Sequence, residues 1–334
     1  MSKKKFLITG LGSIGRRHLH NLELLGETDI SLFRSHKGTI EDENLRNYPE
    51  FSDLGEALAS KPDAVIISNP TSLHMNIATP AAEAGCALLI EKPIANNLDE
   101  LTSFEKVFDR ENPLVLTGYQ FRFNPGLIKI KELLQKKHLG KPLSFQCKWG
   151  EYLPGWHPWE DYRKSFAAKK ALGGGVVLTL SHPLDYLLWF FGNVKELFAF
   201  TGNSSDLEID CEDTANVVLN FQSGVTGTLH LDYYCQPKQH ELNIICSNGT
   251  IFWDYETSQV ETRNASGEET VFTAPVDYER NKMYQAEMQH FIDCMNGTAK
   301  PVCTYEDGKR ALALAIGILQ SGKYNQRVIF NGTK

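Results

Sequence analysis

The sequence has no long apolar run. Its longest apolar stretch covers only residues 311 to 319, and a membrane-spanning helix needs roughly 18 apolar residues. Lys3, Lys4 and Lys5 resemble the start of a signal peptide, but only three apolar residues separate them from Thr9 and Gly10, too few for its apolar core. The sequence therefore predicts a protein that neither spans a membrane nor is exported.

A cysteine motif is also lacking. The seven cysteines are an odd number, none forms C-x-x-C, and none has the spacing of a zinc finger. Scattered cysteines of this kind are typical of reduced, mostly structural thiols in a cytoplasmic protein. We expect no metal centre.

Positive charge is not in excess. Lys and Arg total 34 against 41 Asp and Glu, a net charge of −7, which argues against a dedicated nucleic-acid binder. With 42% hydrophobic and 22% charged residues the composition is that of a globular protein, and 334 residues correspond to about two domains.

Short apolar segments alternate with helical patterns over the first 120 residues. The segment at 64–68 reads AVIIS, continuous and apolar, as expected for a strand buried on both faces. From residue 143 onward, apolar and polar residues alternate in runs separated by Gly and Asn turns, before two helical patterns end the chain. The fold class is therefore α/β. A doubly wound parallel sheet is expected at 1–120, and an α+β domain with a large, mostly antiparallel open sheet at 121–334.

The first such segment leads into G-x-G-x-x-G, formed by Gly10, Gly12 and Gly15 around Ser13 and Ile14. In a strand–turn–helix context the first Gly permits the tight turn, the second admits a pyrophosphate, and the third lets helix and strand pack closely. The motif predicts dinucleotide binding; the alternative is a glycine-rich turn without a ligand.

The end of the second predicted strand bears on the choice of cofactor. An NAD site usually places an acid there, but this sequence has Arg34, Ser35 and Lys37. Arg can clamp a 2′-phosphate with two hydrogen bonds. We therefore expect NADP(H) rather than NAD(H), against the alternative of a solvated basic loop.

A lysine follows the strand predicted at 87–90, in Glu91-Lys92-Pro93. Ligands bind at the carboxyl ends of strands in such sheets, so Lys92 would lie near the nicotinamide and could take part in proton transfer. Taken alone, the tripeptide fits a surface lysine equally well.

Together these segments resemble the Gfo/Idh/MocA family of NAD(P)-dependent oxidoreductases. The resemblance rests on six segments: GLGSIGRRH (10–18), DAVIISNPTSLH (63–74), AAEAGCALLIEKPIA (81–95), GYQFRFNP (118–125), GGGVVLTLSHPLDYLLWFFG (173–192) and YEDGKRALALA (305–315). It implies a Rossmann domain, a sheet-based substrate domain, and hydride transfer to or from a sugar, cyclitol or related polyol.

The resemblance also implies residue roles. Lys92 and His182 would be catalytic and would contact substrate. Asp185 follows His182 by three residues and lies on the same side of a helix, so we expect it to orient His182 and to contact substrate. Where the family usually has an Asp, four residues before its histidine, this sequence has no acid; Thr179 lies nearest and is expected to hold substrate or a water. The residues expected to border the cofactor are Asn69, Pro70, Thr71, His74 and Glu91.

Aromatic and polar residues are dense at 152–163. Trp156, Tyr162 and Arg163 are predicted to bind substrate as part of a lid, because aromatic faces pack on sugars and Arg clamps acids. The alternative is a dimer contact or a packed loop. Gln120, Arg122 and Asn124 follow a strand end and are expected to line the same cleft, Gln120 on the cofactor side.

The sequence thus predicts an oxidoreductase that transfers a hydride between NADP(H) and a sugar, sugar acid, cyclitol or sugar-nucleotide carbon. Two alternatives remain: a redox-neutral glycoside hydrolase or lyase with a retained cofactor, and a cofactor-sensing binding protein without catalysis. The apolar alternation of the open sheet, with few helices to cover it, predicts a homodimer or a homotetramer.

Overall fold

The computed structural model describes residues 3–34 and 43–330. The chain divides into two compact units, Met1–Gln120 with Glu279–Lys309, and Phe121–Tyr278 with Arg310–Lys334. We expected one continuous domain at 121–334. In the structure, the segment Glu279–Lys309 belongs instead to the first unit. Local periodicity predicts a helix in this segment but carries no information about which unit the helix joins.

The first unit begins with alternating strands and helices. In chain order these are β1 (Lys5–Thr9), α1 (Ser13–Leu24), β2 (Asp29–Phe33), β3 (Glu50–Phe51), α2 (Leu54–Ala59), β4 (Ala64–Ile67), α3 (His74–Glu83), β5 (Ala87–Glu91), α4 (Leu101–Glu111) and β6 (Val115–Gly118).

The six strands form a parallel sheet in the order β3-β2-β1-β4-β5-β6. All four residues of β4 are buried, which confirms the expectation of a strand covered on both faces. The strand order reverses between β1 and β4, and in doubly wound sheets the ligand crevice lies outside the carboxyl ends of the strands at this point. The predicted parallel sheet is confirmed.

The second unit begins with α5 (Pro125–Gln135) and a long strand. It continues with β7 (Pro142–Tyr152), α6 (Val176–Thr179), α7 (His182–Phe191), β8 (Val194–Gly202), β9 (Thr214–Phe221), β10 (Thr226–Asp232), β11 (Tyr234–Cys246), β12 (Gly249–Asp254), β13 (Gln259–Asn264) and β14 (Glu269–Thr273).

The chain ends with α8 (Asn281–Met295), α9 (Tyr305–Tyr324) and β15 (Val328–Ile329). The predicted capping box at the start of α9 is confirmed: the Thr304 N–H donates to Asp307 Oδ2 (2.9 Å), and the Asp307 N–H donates to Thr304 Oγ1 (3.2 Å). Among the described residues, no helix is both long and apolar enough to cross a membrane.

Nine strands form the sheet of the second unit, in the order β14-β13-β12-β11-β7-β10-β9-β8-β15. Only the β7–β10 pairing is parallel, so the sheet is mostly antiparallel, as predicted. One face packs on α7, where Phe145 stacks on Phe191 with ring centroids 5.3 Å apart. On the opposite face Phe200, Val218 and Ile245 are exposed.

Candidate active site

The glycine motif forms a tight turn between β1 and α1. Gly10 has φ +80°, and a Cβ there would lie 2.4 Å from the backbone nitrogen of Asn69. A Cβ on Gly15 would lie 2.0 Å from the Gly10 carbonyl oxygen, whereas one on Gly12 would meet no atom within 4 Å. The turn thus packs closely against the end of β4 and leaves room in front of Gly12 and the start of α1 at Ser13 and Ile14. This shape fits a pyrophosphate at a helix N-terminus.

His74 connects the two loops that follow β4 and β5. Its ring is buried, with Nε2 2.9 Å from the Asn69 carbonyl and Nδ1 3.0 Å from the Pro93 carbonyl. Burial lowers the pKa of His74, and the hydrogen bond to Asn69 opposes that shift. His74 therefore ties together two segments at the carboxyl edge of the sheet, and Asn69, Pro70 and Thr71 lie on one of them.

Arg34 follows β2 and contacts a carboxylate of the neighbouring strand. Its Nη1 lies 3.1 Å from Glu50 Oε2, and the two side chains are 18% and 29% exposed. Sequence reasoning placed Arg34 at the cofactor but missed Glu50, because β3 has only two residues and no pattern of its own. Ser35 and Lys37 lie outside the described residues.

Glu91 ends β5 with its carboxylate turned into the unit. Glu91 Oε1 is 2.7 Å from His18 Nε2, and Oε2 accepts the N–H of Lys92 at 3.2 Å. Gly118 on the neighbouring strand provides the space, since a Cβ there would lie 3.2 Å from Glu91 Oε2. The backbone of Lys92 is thus held by a buried carboxylate. The Lys92–Pro93 peptide bond is cis.

Gln120 is buried in the first unit, where its Nε2 donates to the hydroxyl of Tyr284 at 2.9 Å. Its predicted contact with a cofactor stays a prediction. Tyr284 lies on α8, so this hydrogen bond joins α8 to the chain that follows β6. Sequence periodicity does not predict that these two segments are in contact.

His182 begins α7 in the second unit and is 6% exposed. Its ring packs at 4.6 Å from the ring of Phe121 and 5.9 Å from that of Trp149, measured between centroids. Trp149 also stacks on His240 at 3.8 Å. Two aromatic side chains therefore pack against His182, and sequence reasoning did not identify them because β7 and the turn before α5 are remote from it in sequence. Thr179, one turn earlier, is likewise buried.

Arg122 and Asp185 form a buried pair within the second unit. Nε lies 2.9 Å from Oδ2 and Nη2 lies 2.7 Å from Oδ1, and the side chains are 4% and 2% exposed. The role predicted for Asp185, orienting His182, stays a prediction; the structure shows its carboxylate on Arg122. Asn124 caps α5 by accepting the N–H groups of Gly126 and Leu127 at 2.9 and 3.2 Å.

The three residues of the aromatic segment at 152–163 that are predicted to bind substrate have three different surroundings. Trp156 packs edge-on against Tyr233, with centroids 5.6 Å apart. Tyr162 accepts a hydrogen bond from the N–H of Glu208 at 3.3 Å. Arg163 is exposed, with its guanidinium on Asp161 at 2.8 Å and on Glu208 at 2.6 Å.

This segment also holds buried polar atoms without a hydrogen-bond partner among the described residues. They are Trp156 Nε1, His157 Nδ1 and Glu160 Oε1. Buried polar atoms are nearly always hydrogen-bonded in proteins, so these donors and acceptors suit a ligand with several hydroxyl groups.

Glu212 is a carboxylate that sequence reasoning missed. It accepts the N–H of Val177 at 3.1 Å, at the start of the short α6, and burial raises its pKa to about 7. A Cβ on Gly175 would lie 2.4 Å from Glu212 Oε1, so this glycine is needed for the close approach. The carboxyl group of Glu212, whose pKa is raised, therefore contacts the backbone of α6 at Val177, two residues before Thr179.

Two family models match the chain. One, described as an oxidoreductase family with an NAD-binding Rossmann fold, matches residues 4–119, and the other, the GFO/IDH/MocA C-terminal domain, matches residues 127–252. Myo-inositol 2-dehydrogenase of Thermotoga maritima is 26% identical, over 94% of this chain and 95% of its own. The NAD⁺-dependent scyllo-inositol 2-dehydrogenase of Bacillus subtilis is 25% identical, over 95% and 93%.

Solved structures share the fold. A levoglucosan dehydrogenase in complex with NADH and levoglucosan aligns with a TM-score of 0.88 at 16% identity, covering 98% of this chain and 99% of its own. The WlbA dehydrogenase from Bordetella pertussis, in complex with NADH and UDP-GlcNAcA, aligns at 0.82 and 21%, covering 99% and 100%. With both family models matched in order over a Rossmann sheet and a large open sheet, the chain belongs to the Gfo/Idh/MocA family of nicotinamide-dependent oxidoreductases.

Proposed function

We propose that the protein oxidises or reduces one carbon of a sugar, sugar acid, cyclitol or sugar nucleotide, with NADP(H) preferred over NAD(H). The observation that carries the proposal is the position of Lys92. It follows β5, whose carboxyl end lies at the same edge of the sheet as the glycine turn after β1. Relatives named for inositols and a fold shared with sugar dehydrogenases support the substrate class.

A nicotinamide cofactor bound at this edge of the sheet would supply or accept the hydride. The residues of this chain hold and move the proton of the substrate hydroxyl. Lys92 and His182 are proposed to move this single proton, away from the hydroxyl in the oxidising direction and toward the oxygen in the reducing direction. The aromatic surroundings of His182 limit access of water to the imidazole.

The preference for NADP(H) rests on Arg34, which stands where an NAD enzyme usually has an acid. Glu50 holds the Arg34 guanidinium near the end of β2. A 2′-phosphate would share this guanidinium with Glu50 or displace it, and both side chains are exposed enough to move.

The substrate is proposed to contact Thr179 and the 152–163 segment, which acts as a lid through Trp156, Tyr162 and Arg163. The unpartnered buried donors and acceptors of this segment support the role, because a polyol offers a hydroxyl to each. Arg122, Asn124 and Asp185 are proposed to line the same cleft, and the buried ion pair and the cap of α5 would hold them in position.

An absorbance screen at the nicotinamide band tests the proposal, with both cofactors run against sugars, sugar acids, cyclitols and nucleotide sugars. In the pair that reacts, Lys92→Met should reduce turnover by roughly 10²-fold or more. Lys106→Met, an exposed lysine on α4, is the matched control. Near-normal turnover of Lys92→Met would refute the role of Lys92, and cleavage of a glycoside without net cofactor turnover would assign a redox-neutral reaction instead.

The protein is also proposed to form a homodimer, or a tetramer of dimers, through the exposed face of the nine-stranded sheet. Phe200, Val218 and Ile245 are 64%, 57% and 44% exposed on β8, β9 and β11. Sedimentation at micromolar concentration tests this, and Val218→Lys should shift the population toward monomer. A wild-type monomer would refute it.

All seven cysteines are free thiols, six of them buried. This supports the proposal of a reducing, cytoplasmic compartment. The test is alkylation of the unfolded protein, prepared without reductant. All seven cysteines should react.

A further inference from the structure

Three ionisable side chains meet inside the first unit, and the mechanism above does not use two of them. They are His18 of α1, Glu91 of β5 and Glu287 of α8, which are 0%, 7% and 1% exposed. One ligand atom of each lies within 4.8 Å of the others. We call these three residues the buried trio.

The two carboxyl groups of the trio have opposite surroundings. Glu91 contacts His18 Nε2 and the N–H of Lys92. Burial raises the pKa of Glu91, but His18 and Lys92 together lower it below its ordinary value. Neither oxygen of Glu287 has a hydrogen-bond partner among the described residues. Burial raises the pKa of Glu287 well above its ordinary value, and the charge of Glu91 adds to the effect.

Two carboxylates this close in a buried site cannot both ionise without a counter-charge, so the proton stays on the one with fewer partners. Within the described residues, the contacts of the charged groups around Glu287 are with other side chains. His18 is engaged by Glu91, Arg17 lies over the Tyr284 ring at 4.5 Å, and Arg280 and Lys92 act on Tyr284 and Glu91.

A metal ion is the other way to neutralise two buried carboxylates. The distance from His18 Nε2 to Glu91 Oε1 is 2.7 Å, the length of a hydrogen bond, whereas two ligands of a tetrahedral zinc lie roughly 3.3 Å apart. The contact between these two residues therefore favours a shared proton over a shared ion.

We propose that Glu287 is a neutral carboxylic acid at neutral pH, and that its proton allows Glu91 to remain ionised and to hold the backbone of Lys92. Glu287 is then a positioning residue for Lys92, 195 positions away in the sequence. The inference rests on the proposed function only in that Lys92 is taken to be catalytic. The protonation of Glu287 is tested without substrate or cofactor.

The test is the thermal unfolding of wild type and Glu287→Gln between about pH 5 and pH 8. A carboxyl group whose pKa is raised in the folded protein stabilises it fully below the unfolded pKa, and this stability is lost as the pH rises toward the folded pKa. Gln has no proton to lose. The Tm of Glu287→Gln should therefore exceed that of wild type by a margin that grows with pH, by roughly 2 °C per pH unit.

Glu279→Gln makes the same chemical change at an exposed position just before α8. Its Tm difference from wild type should stay flat across the pH range. A Glu287→Gln variant that is less stable than wild type at neutral pH, with the deficit vanishing toward low pH, would show that Glu287 is ionised in the fold and would overturn the proposal.

Infrared spectroscopy of the wild type provides a second measurement, should Glu287→Gln fold poorly. A protonated carboxyl band that persists well above pH 7 is expected, and Glu212→Gln removes the contribution of the group whose pKa is about 7. Absence of the band overturns the proposal. So does a rise in wild-type Tm on adding Zn²⁺ or Mn²⁺ that Glu287→Gln abolishes, since it would assign the trio to a metal.

Discussion

Two arginine–carboxylate pairs of this protein, one in each unit, differ in surroundings rather than in chemistry. Arg122 and Asp185 are 4% and 2% exposed, with a two-pronged contact. Arg34 and Glu50 are 18% and 29% exposed, with Nη1 3.1 Å from Oε2. A buried pair cannot exchange its partner for water or ligand, whereas a partly exposed pair can.

This difference indicates separate roles. Arg122 precedes α5 and Asp185 lies on the first turn of α7, the helix that begins with His182. Their pair therefore fixes the helix that presents the proposed catalytic histidine. Arg34 stands at a strand end where a ligand is expected, and its pair with Glu50 keeps the guanidinium available there.

Removing one member of the buried pair should have the largest effect. Asp185→Ala leaves the Arg122 guanidinium buried without its counter-charge, so we expect a loss of about 3–5 kcal/mol in the free energy of unfolding. Urea unfolding of wild type and variant measures it.

The double variant Arg122→Met, Asp185→Leu is the control. It removes both charges and keeps apolar volume, so its stability should lie closer to wild type than that of Asp185→Ala. Equal losses in the two variants would show that packing, rather than the unpaired charge, determines the effect.

The sequence predicted the parts of the site that are local. The glycine turn and the start of α1 follow from a motif of six consecutive residues, and the capping box of α9 from a span of four. Asn124 could have been predicted as a helix cap as well, because Asn followed by Pro before an apolar pattern is a helix-start signal. The spacing of Asp53 and Glu56 indicates the start of α2 in the same way, and it went unrecognised.

Contacts between remote segments could not be predicted. His18 and Glu91 are 73 positions apart, and Arg122 and Asp185 are 63 apart. A single polar residue within an apolar pattern does not indicate its partner, because the partner is determined by how helices pack on a sheet. Helix spacing relates Asp185 to His182, but it gives no sign of the contact between the Asp185 carboxylate and Arg122.

The partly exposed pair should affect cofactor choice more than stability. If Arg34 binds the 2′-phosphate, Arg34→Ala loses a charge-assisted contact of about 1.5–3 kcal/mol. We expect kcat/KM for NADP(H) to fall by roughly 10- to 100-fold, with kcat/KM for NAD(H) changed far less. Steady-state kinetics with both cofactors measure it, and an equal loss with both would refute the assignment of Arg34 to the phosphate.

The smallest effect is expected from Glu50→Gln. The carboxylate competes with a 2′-phosphate for Arg34 and repels it, so its neutral isostere should raise the ratio of kcat/KM for NADP(H) over NAD(H) by a few-fold, about 1 kcal/mol. Because the pair is partly solvated, the free energy of unfolding should change by less than about 1 kcal/mol. A fall in the ratio would indicate that Glu50 is needed to hold Arg34 in place. A stability loss as large as that of Asp185→Ala would show that the two pairs are equivalent after all.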